Sequence, residues 1–116
     1  MCSPNEDNEM TTTKTTRGTL TLEAAIDKKH LGASLKITNA TPMTQRAFNA
    51  AILRLAAEIE ESTPANERWL VHIADGETWG YPGRENRSAR VWIEAVTGTE
   101  EEEQRALATL IAVAQR

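Results

Sequence analysis

Arg90-Val91-Trp92-Ile93-Glu94-Ala95-Val96-Thr97, followed by Gly98-Thr99, decides how this chain folds. Larger apolar and polar residues alternate through it, with β-branched and aromatic types enriched, which is the pattern of a half-buried strand. If Val91, Ile93 and Ala95 face a core, Trp92, between Arg90 and Glu94, faces away from it. Thr97-Gly98 breaks the pattern. Thr99 then offers an N-cap hydroxyl, with Glu102 three residues on to complete a capping box, so a helix begins here. Its apolar stripe is Leu107, Leu110, Ile111 and Ala114, one face of a 3.6-residue period.

Upstream the same grammar recurs. Leu20, Leu22, Ala24 and Ile26 alternate with polar or small residues, and Ser34-Leu35-Lys36-Ile37-Thr38 alternates again after a polar connection closed by Gly32, so a hairpin is expected. Thr41-Pro42 reads as an N-cap with proline at the first helical position, opening a helix to about Glu61 that buries Phe48, Ile52, Leu55 and Ile59. Ser62 to Asn66 is a turn cluster. Trp69 to Ala74 is a third strand, and Asp75-Gly76 is a dipeptide favoured in tight hairpins, so a return strand is expected over Glu77 to Tyr81, with a polar loop from Arg84 to Ala89. Gln45-Arg46-Ala47-Phe48 matches Gln104-Arg105-Ala106-Leu107, which raises an internal duplication.

Two helices and two hairpins, each with one apolar face, bury those faces by stacking both helices on one side of a sheet. The fold class expected is therefore α+β, a two-layer sandwich with an antiparallel sheet of four to five strands and two helices on one face, in the order ββα-ββ(β)α. Its other sheet face is left to solvent or to a second subunit. Residues 1–18 carry almost no large apolar side chain and read as a disordered tail, leaving 19–116 as a single domain.

Composition narrows the function classes. With 116 residues, 40% hydrophobic and 26% charged, the chain suits a small globular domain. No apolar run approaches the roughly 20 residues of a membrane span. A net charge of −4 opposes steering toward nucleic acid. Cys2 is the single cysteine, which excludes an internal disulfide and a cysteine-built zinc site. A cytoplasmic protein is expected, with a lipid anchor on Cys2 as the alternative if a leader has been removed. His30 and His72 stand in no metal-ligand spacing and beside no credible nucleophile, so no catalytic residue, metal or cofactor is assigned. Glu100 to Glu103 suit the positive end of a helix and need no ligand.

The three tryptophans and the single tyrosine fall within residues 69–92. Trp79, Tyr81, Arg84, Arg87, Arg90 and Trp92 form the expected partner-binding set, because Trp, Tyr and Arg dominate interface anchors. A two-residue hairpin at Asp75-Gly76 would set His72 opposite Trp79. The leading expectation is a non-enzymatic binding or assembly module that self-associates, a dimer being favoured, through the open sheet face or the 69–92 region, with a separate protein partner also in view. The rival is a small enzyme or ligand-binding protein with a pocket at the 75–90 loop, where His72, Tyr81 and Arg84 or Arg87 supply the polar groups. A weaker third reading has the Arg84, Arg87 and Arg90 loop touching nucleic acid.

Overall fold

The computed structural model describes residues 12–30 and 32–116. Five strands and two α-helices follow in the order β1 (Thr12–Arg17), β2 (Leu20–Asp27), β3 (Gly32–Asn39), α1 (Gln45–Ser62), β4 (Leu70–Trp79), β5 (Asn86–Glu94) and α2 (Glu100–Ala114). The strands form one antiparallel sheet in the order β1-β2-β3-β5-β4. Both helices cover the same face, α2 over β1 to β3 and α1 over β4 and β5, in a two-layer α+β sandwich. Among the described residues no helix is long and apolar enough to cross a membrane.

Strand alternation explains that layering. Leu22 pairs with Ile37, Leu35 with Val91, and Ala33 with Ile93, so a continuous apolar patch crosses three strands on one side. These side chains are buried under Phe48, Ile52, Leu55 and Ile59 of α1 and Ala106, Leu110 and Val113 of α2. On the other side the same strands carry Thr21, Glu23, Ser34, Lys36, Arg90 and Trp92, which remain half-buried or exposed. The strand around Trp92 thus faces as its alternation requires.

Several local expectations are corrected. The tail reading fails at Thr12–Arg17, which pairs with β2 from Thr12 opposite Ala25 to Arg17 opposite Leu20, while residues 1–11 lie outside the described set. Four threonines in six residues favour extended backbone, and β2 supplies the ladder they need. The first long helix is capped by Thr44, whose hydroxyl accepts from the Ala47 amide at 3.1 Å, rather than by Thr41. Asp75-Gly76 makes no hairpin. Strand β4 runs through it with a register shift between Asp75 and Thr78. A Cβ at Gly76 would stand 2.0 Å from the Ser88 carbonyl oxygen, so glycine here permits close strand approach. The turn comes at 80–85, where Gly80 and Gly83 take left-handed φ.

Helix α2 buries Ala106, Leu110, Val113 and Ala114 and leaves Leu107 and Ile111 partly covered, one position rotated from the expected stripe. That rotation also breaks the apparent repeat. Gln45 is the first residue of α1 whereas Gln104 is the fifth of α2, and the matched Phe48 and Leu107 differ in burial.

Candidate functional site

Strand β4 lies at the end of the sheet, so one side of its backbone has no strand partner among the described residues. Its start is fixed by a buried polar cluster. Trp69, just before it, is buried and donates its indole N–H to Glu102 Oε2 at 3.0 Å. The same carboxylate accepts from the amides of Val96, Thr97 and Gly98 at 3.2, 2.8 and 3.1 Å and from the Thr97 hydroxyl. Burial by itself raises this carboxyl, but those hydrogen bonds outweigh it and hold the group at about 2. Glu102 therefore reaches past the N-cap residue and ties the β5–α2 turn to the beginning of β4.

On the open face, His72 of β4 is opposite Trp92 of β5, and their rings stack with centroids 5.1 Å apart at 21°. His72 Nε2 lies 2.7 Å from Glu94 Oε1. Leu70, in the same set of outward positions, is exposed beside them. Farther along β5, Arg90 is opposite Lys36 of β3, so the open face changes from aromatic to basic away from the β4 edge.

On the helix face a groove of about 560 Å³ runs between the first half of α1 and the β4 bulge. Phe48, Ile52, Leu53 and Ile73 form its apolar part, and Gln45 and Arg87 close its polar end. Leu53 and Ile73 are 62% and 44% exposed. The edge strand therefore has apolar side chains uncovered on both faces.

The sequence-predicted residues do not form one surface. Arg87 turns to the helix side, where Nε donates to the Met43 carbonyl at 3.1 Å and a terminal nitrogen donates to Gln45 Oε1 at 2.6 Å. Arg90 lies on the opposite face, as an odd spacing within one strand demands. Arg84 and Tyr81 are exposed in the 80–85 turn, and Trp79, at the end of β4, is opposite Asn86. The three arginines thus make no common clamp. The groove wall includes Arg87 but not His72, Tyr81 or Arg84, so the polar set expected around a 75–90 pocket is not brought together there. His72 meets Trp92 and not Trp79, because the turn is later than expected.

Leu53, Leu70 and Ile73 were not singled out by sequence reasoning. Leu53 had a signal: it is a large apolar residue beside the stripe of α1 rather than on it. Ile73 sits in the run Leu70-Val71-His72-Ile73-Ala74, which carries no sign of its own that the strand lies at the sheet edge. No protein-family model matches this chain, and neither the curated proteins nor the solved structures contain a significant match.

Proposed function

We propose that this chain is a small non-enzymatic assembly module that forms a homodimer along the β4 side of its sheet. One observation carries the reading. The exposed large apolar residues among those described are Leu53, Leu70, Ile73, Trp79, Tyr81 and Val96, and all lie on β4, in the turn that follows it or on the segments beside it. Exposed apolar area next to an unpaired strand edge favours association, because pairing satisfies the outward amides and removes the side chains from water together. Closed two-fold pairing is the commonest way for a chain of this kind to assemble. The open aromatic face near His72 and Trp92 adjoins the same edge and supplies the rim. We assign the protein to the cytoplasm on its single cysteine and acidic, span-free sequence.

The test is the light-scattering mass of the full chain over a concentration series, with Ile73→Lys and Leu53→Lys beside it. Twice the chain mass for the natural sequence, and one chain mass for both variants with cooperative unfolding retained, supports the reading. A monomer throughout, or a dimer indifferent to both lysines, overturns it.

A further inference from the structure

We infer that the second copy joins by antiparallel pairing of β4 with β4 about a two-fold axis at His72, which makes one continuous ten-stranded sheet. The inference rests on the assembly reading above and adds its register. Two strands paired in this way must oppose residues of the same face, so the axis passes through a residue rather than between two. Leu70-Val71-His72-Ile73-Ala74 precedes the bulge and contains no Asp, Glu, Lys or Arg. Its polarity is symmetric about its centre.

With the axis at His72, Leu70 opposes Ala74 of the second copy, Val71 opposes Ile73, and His72 opposes itself. All five positions are used and no Asp, Glu, Lys or Arg stands in the ladder. An axis at Val71 carries the ladder back onto Trp69, which is buried and held by Glu102. An axis at Ile73 carries it forward into the register shift between Asp75 and Thr78. Only the central choice fits the unbroken segment.

The same operation settles both faces. On the helix side, Ile73 and Leu53 come against the second copy's Val71 and its own α1, so the open groove gains an apolar wall. On the other side, the His72–Trp92 stack continues into its symmetry mate, with each Glu94 carboxylate beside its own imidazole. The lysine and arginine of the basic region, Lys36 and Arg90, stay one row or more away from the axis.

Cysteine trapping reads the register directly, since residues opposed across such an axis have Cα atoms about 4.5–5.5 Å apart, within disulfide reach. In a Cys2→Ser background, Val71→Cys, His72→Cys and Ile73→Cys are oxidised separately, and Leu70→Cys is mixed with Ala74→Cys. Nearly complete cross-linking is expected for His72→Cys and about half for the mixed pair, the share of mixed dimers that random pairing gives, with little for the other two single variants or for Leu70→Cys alone. The mixed pair keeps the result readable if losing His72 disturbs its stack. A dimer that cross-links best at 71 or 73 overturns the register. A dimer that cross-links nowhere on β4 overturns strand pairing while leaving self-association intact, and a monomer overturns both.

Discussion

The two edges of this sheet are protected in opposite ways. Strand β1, Thr-Thr-Lys-Thr-Thr-Arg, holds no large apolar side chain, carries a lysine on its open face and sends Arg17 over the helix side. Strand β4 begins with five residues lacking any fixed charge and exposes Leu70 and Ile73, and only its second half has a bulge. Lysine and bulges are the common means of discouraging edge pairing, so β1 carries such a safeguard and the first half of β4 does not. An edge left open at one end of a sheet and closed at the other is what a chain needs if it is to stop at a dimer rather than grow into a fibre.

The contrast is broken most directly by charge. Ile73→Lys places an ammonium where the second copy would lie and is expected to weaken self-association by at least about a hundredfold, on the scale of burying an unpaired charge. Thr15→Lys, on the matching face of β1, is expected to leave the mass unchanged. Equal responses in sedimentation would remove the distinction between the edges.

Next in size is the anchor of β4. Glu102→Ala strips the acceptor from three amides and from the buried Trp69 indole, and a loss of about 3 kcal/mol in denaturant unfolding is expected. Because the folded carboxyl is held at about 2, its stabilisation is present above the ordinary carboxylate range and disappears as pH falls from that range toward 2. The natural chain should therefore lose stability on acidification more steeply than the alanine variant. Parallel acid titrations of the two would show that the anchor acts otherwise.

Much of this arrangement is legible in the sequence. Strands β2, β3 and β5 have one wet face, so period-two alternation revealed both their existence and the outward aim of Trp92. Thr99 and Glu102 announced the start of α2, although the carboxylate reaches the amides before the cap. Strand β1 was hidden because it has no apolar face, and its pairing with β2 is a nonlocal fact. The site was obscured by Asp75-Gly76, which serves a bulge as readily as a turn; the alternative is decided by how closely β5 approaches, a nonlocal fact. Moving the turn from 76 to 80–85 exchanged the neighbour of His72 from Trp79 to Trp92 and sent Arg87 and Arg90 to opposite faces. An edge position also cannot be read from β4 itself, whose residues look like those of a central strand.

A smaller effect is expected where the open face borders the edge. Trp92→Ala removes the ring that supports His72 but leaves the buried row of Val91 and Ile93 in place. We expect about a tenfold loss in self-association, near 1.4 kcal/mol, with the fold retained. An unchanged sedimentation profile would confine the interface to the helix side and the strand backbone.

The smallest expected change sharpens the comparison from the β1 side. Arg17 ties that edge to both helices, donating to Glu58 Oε2 of α1 at 2.8 Å and to the Val113 carbonyl of α2 at 3.1 Å. The hydrogen bond from Arg17 holds the Glu58 carboxyl below its usual range, against the opposing effect of burial and with help from Arg116. Both partners of this pair are partly covered, so Arg17→Ala is expected to cost about 1 kcal/mol, more than a fully exposed ion pair and less than the buried Glu102 cluster. With a lowered folded pKa, the contribution of Glu58 exists above the ordinary carboxylate range and fades as pH falls through its depressed value, so the gap between natural chain and variant should close in acid. Self-association should not change at all, because Arg17 stands at the far end of the sheet. A shift in mass without a shift in unfolding would mean that β1, not β4, is where copies meet.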